Sequence, residues 1–236
     1  MNYVVYFLYG DEHAQMCSRS IDTVRNHMHH PHVVVYCDKP YDCLVGKAEI
    51  RVSPYFDQPP MVCNLLCQTD HLMRLELTPH SKTFTIFLDT DILMTSDLPA
   101  LSEEPDLFVT WRDNVGKVSE HMPYNYGVII ARHTIATGMA FQWLLQRVLK
   151  LQGMRQKWYG NQIALRELVG PLQKDSIHVR DLGYFSLTIE QLPCFKWNWT
   201  PPETKPKMSP SSKVFTHLKG DRKDLFDYYY EKGVAA

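Results

Sequence analysis

The chain has 236 residues, 44% of them hydrophobic and 22% charged, with a formal net charge of -1. That balance describes a soluble globular protein able to bury a substantial core, and near-neutrality argues against extended binding to nucleic acid or an anionic membrane surface. No apolar run approaches the roughly 20 residues of a bilayer-spanning helix, and no basic region precedes the first apolar run as in a secretion signal, so a cytoplasmic location is expected.

Tyr3 to Leu8 (YVVYFL) is a short run of β-formers that turns at Tyr9-Gly10-Asp11. Ala14, Cys17, Ile21, Val24 and Met28 recur at three- and four-residue steps, which predicts an amphipathic helix. His27, His29, His30 and His32 crowd into HMHHPH, a solvated loop in preference to a zinc-binding tract. His32 to Tyr36 reads as a buried strand and Ile50 to Ser53 as a shorter one, before the turn PYFDQPP. Helical spacing returns from Met61 to Leu77 and stops at Thr78-Pro79. Cys63 and Cys67 lie one turn apart on it. All six cysteines lack the spacing of a disulfide framework and are expected as reduced, packed thiols.

The rest of the chain is arranged around the stretch TFTIFLDTDILMTSDL, Thr83 to Leu98. Phe84 to Leu88 is apolar on both faces, as in a strand inside a sheet. It ends in Asp89-Thr90-Asp91. Two carboxylates two residues apart do not share a dry core, because unpaired buried charge costs several kcal/mol or is neutralised. At a strand end they are either turn chemistry or ligands converging on a hard divalent cation.

Asp106 to Trp111 reads as a further strand, and Tyr124 to Ile130 as a polar turn leading into another. Thr134 to Gln152 is a helix, and Gly160-Asn161-Gln162 opens a shorter one. His178 to Leu182 reads as a strand, Leu192 to Trp199 as a compact aromatic segment, and the Pro/Ser/Lys-rich Thr200 to Ser212 as a mobile loop. Val214 to His217 is the last strand and Asp224 to Lys232 a terminal helix. The sequon at Asn198 has little meaning without a route to secretion. Strand and helix alternate without internal repeat or domain boundary, which predicts one α/β domain over 1–236 with ligands beyond the carboxyl ends of the strands. Tyr9-Gly10 and Asp89-Thr90-Asp91 are then expected on one rim.

In order along the chain, VVYFLYG, Arg74, FLDTDILMTSDL, YNYGVII, GNQIALREL and FTHLKGDRK resemble the elements of GT-A nucleotide-sugar glycosyltransferases, most closely glycosyltransferase family 8, the glycogenin and galactosyltransferase group. The resemblance implies a single Rossmann-like mixed sheet flanked by helices. It implies that Asp89, Asp91 and His217 hold Mn2+ or Mg2+, the histidine favouring Mn2+. The N-terminal strand and turn, with Tyr9, would hold the base and ribose of a UDP-sugar. Lys219, Gly220 and Lys223 would face its diphosphate, with Thr90 in the metal turn. Arg74, Asn125 and Gln162 would hydrogen-bond the donor sugar.

The family's Asp-Gln pair is Asn161-Gln162 here, so a carboxylate near the reacting sugar is replaced by an amide. That suits a retaining front-face mechanism, in which the leaving phosphate helps accept the acceptor's proton; Asp113 is the substitute carboxylate nearby. Tyr126 stands where the family has a smaller residue and would narrow the sugar pocket. The expected activity is therefore metal-dependent, retaining transfer from a UDP-sugar to a hydroxyl acceptor on a glycan, protein or modified nucleobase. A nucleotidyltransferase would need a basic Gly-rich loop after the first strand, where this chain has LYGDEHAQM. A non-catalytic nucleotide-sugar-binding protein is the other alternative, kept open by Asn161.

Overall fold

The computed structural model describes residues 1–112, 122–153, 155–202 and 212–234. Eight strands form one mixed sheet in the order β3-β2-β1-β4-β7-β6-β9-β8. They are β1 (Tyr3–Leu8), β2 (His32–Cys37), β3 (Glu49–Val52), β4 (Phe84–Leu88), β6 (Leu107–Trp111), β7 (Tyr124–Arg132), β8 (Ile177–Asp181) and β9 (Ser186–Pro193). The first four run parallel, β7 is antiparallel to β4 and β6, β9 is parallel to β6, and β8 returns antiparallel at the edge. The carboxyl ends of β1, β4, β6 and β9 therefore share one rim.

The period-two alternation of a strand sorts side chains between two layers. Val5, Val34, Phe87 and Ile129 join the core under α2 (Pro60–Met73), α3 (Ile135–Leu149) and α4 (Gly160–Val169). Val4, Tyr6, Val35, Ile86 and Leu88 join Cys17, Ile21 and Val24 of α1 (Ala14–His27) on the other face.

A second, two-stranded sheet pairs β5 (Ile92–Met94) with β10 (Phe215–His217), antiparallel, with His217 opposite Ile92. Helix α1 secures it. The Ser20 hydroxyl donates to the Ile92 carbonyl and the Met94 N–H to Thr23 Oγ1 at 3.0 Å. Buried hydroxyls on an otherwise apolar helix face thus satisfy backbone groups that a second sheet edge would leave unpaired. A short helical turn α5 (Cys194–Trp197) and a terminal helix α6 (Phe226–Val234) follow, and tight 3-10 turns include Gly220–Leu225 just before α6.

Two expectations are corrected. Helix α2 ends at Met73 rather than Leu77, because Pro79 disfavours a helical residue before it and the Thr78 N–H bonds the His133 carbonyl at 3.0 Å. The aromatic segment from Leu192 begins as the end of β9, in which Leu187, Ile189 and Gln191 are fully buried at alternate positions. Gln191 hides that period: it is a buried amide whose Oε1 accepts from the Gln173 N–H at 2.8 Å. The loop expected at 200–212 lies mostly outside the described residues.

At the amino ends of β1 and β4, His71 Nε2 contacts Thr85 Oγ1 at 3.2 Å, which contacts His133 Nε2 at 3.0 Å, while His133 Nδ1 reaches Thr83 Oγ1 at 2.8 Å. Burial, aided by the charge of Arg51, pushes His71 down to about 3, and burial pushes His133 down to about 4. In the unfolded chain both titrate at about 6.5, so below that pH the unfolded state binds the protons first. Stability is full above the unfolded value and is lost as pH falls toward the folded ones. The midpoint of urea unfolding is expected to drop between pH 7 and pH 4.5, with a shallower dependence in the His71→Gln/His133→Gln double variant.

Candidate active site

Strand β4 delivers its two carboxylates through a tight turn. The Asp89 N–H bonds the Gly127 carbonyl at 3.0 Å, and the Ile92 N–H returns to the Asp89 carbonyl at 3.3 Å. The Asp91 carbonyl accepts the Leu218 N–H at 2.9 Å, which docks β10 against the turn. His217 Nε2 then stands 3.1 Å from Asp91 Oδ1 and 3.7 Å from Asp89 Oδ2. Candidate ligand atoms of Asp89, Asp91 and His217 all lie within 4.8 Å of one another.

This cluster fits a divalent cation on two grounds. Burial, reinforced by the Asp91 charge against the pull of His217, raises the Asp89 carboxyl, whereas His217 and Lys223 outweigh burial at Asp91 and hold it down at about 2. Two carboxylates pushed apart in this way are each relieved by a cation between them. The imidazole is also oriented: His217 Nδ1 faces Asn198 Oδ1 at 3.0 Å, which leaves Nε2 to meet the carboxylates through a proton or a metal. Gly127 makes room. A Cβ there would lie 2.6 Å from His217 Cε1 and 2.8 Å from Asp89 Oδ2.

The surrounding charge is positive. Burial and the neighbouring Arg112 lower the Lys219 ammonium, which also feels Asp89 and Asp91. Arg112, at the carboxyl end of β6, donates from Nη2 to Gln162 Oε1 at 3.0 Å and from Nη1 to the Met122 carbonyl at 3.0 Å. Neither cation forms a salt bridge with a carboxylate among the described residues, and Arg112 Nε is buried without a hydrogen-bond partner there. Lys223 acts on Asp91 through its charge. Gly220, beside Lys219, has φ 60°, a conformation glycine takes without strain. Thr90 is half-buried in the turn between the two carboxylates.

Tyr9 is 51% exposed on the same rim, its ring stacked on Phe56 with centroids 5.7 Å apart; Phe56 in turn stacks on Phe7 at 5.1 Å. Asn125 is buried in β7, where Oδ1 accepts the Gly127 N–H at 3.2 Å, so its acceptor holds the irregular pairing between β6 and β7. Asn161 Oδ1 likewise accepts the Gln162 N–H at 2.8 Å at the start of α4. Tyr126 turns toward α2, its hydroxyl donating to Gln68 Oε1 at 2.7 Å.

The structure does not bring Arg74 to this cluster. His71, one turn earlier, packs at the amino ends of β1 and β4, and Arg74 caps the end of α2, exposed and paired with Asp70 at 2.7 Å. Asn64 and Gln68 of the same helix lie nearer and line a cleft with Asp89 and Tyr126. A rise of about 1.5 Å per residue along a helix running away from the rim was the available signal for this difference. Asp113 lies outside the described residues. Arg112, Asn198, Gly127, Asn64 and Gln68 were not singled out by sequence, since each acquires its place only through tertiary contact.

No protein-family model and no curated protein matches the sequence. Solved structures do. A glycosyltransferase involved in glycosylation of the major capsid of PBCV-1 aligns over 97% of this chain and 98% of its own, with a TM-score of 0.54 and 11% identity. The fold is that of the glycosyltransferases. The bifunctional glycosyltransferase WbbM aligns over 98% of this chain and 49% of its own (TM-score 0.60, 11% identity). GlyE of Streptococcus pneumoniae TIGR4 aligns over 98% and 61% (TM-score 0.59, 12% identity). The mixed sheet flanked by helices agrees with the GT-A form of this glycosyltransferase fold.

The closeness of Gly127 to both carboxylate and imidazole gives a test that removes no ligand. Gly127→Ala is expected to lower the thermal midpoint, since its Cβ must displace the buried His217 ring, and to weaken any divalent-cation binding about tenfold or more; calorimetric titration with Mn2+ as the probe measures the second effect.

Proposed function

We propose that the chain is a metal-dependent, retaining glycosyltransferase of the family 8 type that moves a sugar from a UDP-sugar to a hydroxyl on a glycan, protein or modified nucleobase. The observation that carries this reading is the convergence of Asp89, Asp91 and His217 at the carboxyl end of β4, beside the cationic side chains of Arg112 and Lys219. Mixed oxygen and imidazole donors suit Mn2+ better than Mg2+. A cation bound there would supply Lewis-acid stabilisation to the departing diphosphate.

The chain's own residues do the rest. Lys219, with Lys223 and the backbone at Gly220, would meet the charge that builds on the diphosphate as its bond to the sugar breaks. Recessed from solvent, such a charge acts more strongly than it would on the surface. Tyr9 offers an open aromatic face on the Phe56–Phe7 stack, suited to a nucleotide base. Because Arg112 occupies Gln162 Oε1, the remaining amide N–H groups of Gln162 are the ones available to the donor sugar. Neither Asn161 nor Gln162 supplies a base, which leaves the acceptor's proton to the leaving phosphate in a front-face, retaining course. Asp113, next to Arg112 in sequence, is the remaining candidate carboxylate. No helix among the described residues is long and apolar enough to cross a membrane.

A second reading has one observation in its favour. Asn161 spends its acceptor on the first turn of α4 and offers no carboxylate, as in a site that binds a nucleotide sugar without turning it over. Against a nucleotidyltransferase, the turn after β1 carries Asp11 and Glu12 and no basic Gly-rich loop.

Calorimetry with UDP decides the donor site. Binding is expected with Mn2+ present, to be lost on its removal, and to be lost in Asp91→Ala. Slow, metal-dependent hydrolysis of one UDP-sugar from a panel would name the sugar and separate transferase from binding protein. Failure of UDP, GDP and other nucleotides to bind with metal present would overturn the proposal.

A further inference from the structure

A relay of hydrogen bonds behind His217 determines which of its nitrogens faces the carboxylates. His217 Nδ1 lies 3.0 Å from Asn198 Oδ1, Asn198 Nδ2 donates to Thr110 Oγ1 at 3.1 Å, and Thr110 Oγ1 donates to the Asn125 carbonyl at 3.0 Å. His217, Asn198 and Thr110 are 4%, 1% and 1% exposed, so competing water is excluded. The polarity of the relay is fixed at its far end. A backbone carbonyl only accepts, so the single Thr110 proton is committed to it and Thr110 accepts from Asn198. The Asn198 amide must then turn its oxygen toward His217, and Nδ1 must carry a hydrogen. Nε2 is left as the nitrogen that meets Asp89 and Asp91, through an N–H in the metal-free protein and through its lone pair once a metal takes that proton's place.

We infer that Asn198 and Thr110 are positioning residues that hold His217 in the Nδ1–H tautomer required for metal ligation, although neither reaches the carboxylates. This rests on the metal-site reading above. Thr110 is the more informative of the two, being one residue further removed. Without its hydroxyl the Asn198 amide is free to turn, present Nδ2–H to His217 Nδ1, and drive the ring to the opposite tautomer. Nδ1 would then carry no hydrogen, and Nε2 could not give up its own to a metal without leaving an imidazolate.

The test uses Thr110→Val, which preserves side-chain shape, Thr110→Ser, which restores the hydroxyl, and Asn198→Asp, which keeps an acceptor toward Nδ1. The His217 tautomer is read in metal-free protein from 15N NMR of its ring nitrogens, assigned by loss of the signals in His217→Gln. Mn2+ affinity is read in parallel by electron paramagnetic resonance titration. Nδ1–H is expected in the wild type, Thr110→Ser and Asn198→Asp. Thr110→Val should lose the Nδ1 hydrogen and weaken Mn2+ binding about 10- to 100-fold, with its melting temperature measured to separate this effect from unfolding. Wild-type tautomer and affinity in Thr110→Val would overturn the inference, as would loss of Nδ1–H in Asn198→Asp if Thr110→Val does not fold. If the wild type takes up no Mn2+, the metal reading falls, while the tautomer in metal-free protein still decides the relay.

Discussion

A loop of contacts closes on itself at the candidate site, and the neighbouring strands are registered to it. From His217 it passes through Asn198 and Thr110 to the Asn125 carbonyl. Asn125 Oδ1 takes the Gly127 N–H, and the Gly127 carbonyl takes the Asp89 N–H. Asp89 faces His217 again. Five of these six links are hydrogen bonds. The sixth joins a carboxylate and an imidazole at 3.7 Å, too far apart for a direct hydrogen bond. That last link is the one a cation held by Asp89, Asp91 and His217 would complete.

That constraint accounts for features that look unfavourable in isolation. The pairing of β6 with β7 shifts between Val109 and Thr110, and the irregular stretch of β7 carries Asn125 and Gly127. Such departures from regular pairing occur where a strand must aim a side chain or approach another group. Regular pairing there would forfeit the Asn125–Gly127 bond and place a different backbone atom against Asp89. Gly127, a poor residue for a strand interior, is explained by the imidazole that lies where its Cβ would project. The small β5–β10 sheet has the same logic, since it carries His217 from the far end of the sequence to the turn that holds Asp91.

The sequence made the left half of the sheet and the acidic turn legible because both are written locally. Continuous apolar runs of β-formers identified β1, β2 and β4, period-3.6 spacing identified α1, and Asp-Thr-Asp at the end of an all-apolar strand could not be part of a dry core. The right half was harder. Gln191 interrupts the apolar alternation of β9, and only the groups it bonds in the fold reveal it as an interior residue. Arg74 shows a different limit: a basic residue at a plausible spacing was assigned to the site, and the structure leaves it exposed at the end of α2, paired with Asp70. Asn198 was legible only as a sequon, because its partners, Thr110 and His217, are remote in sequence. Motif spacing identifies residues that touch a ligand and is silent on those that hold them.

Electrostatics gives the asymmetry of the rim a direction. Acidic groups gather at the end of β4, cationic ones at β6 and just after β10, and an exposed aromatic stack lies at β1. Burial, and then the charge of Arg112, make Lys219 less ready to carry its own charge, a cost the fold bears without a neutralising carboxylate salt-bridged to either among the described residues. Buried like charges of this kind are offset when an anion enters between them. The carboxylate pair has the converse need. A cation and an anion arriving together satisfy both halves, whereas either alone leaves one set uncompensated. Under the proposed function, metal and diphosphate would be bound as a unit, and binding of each is expected to strengthen the other through the same few side chains.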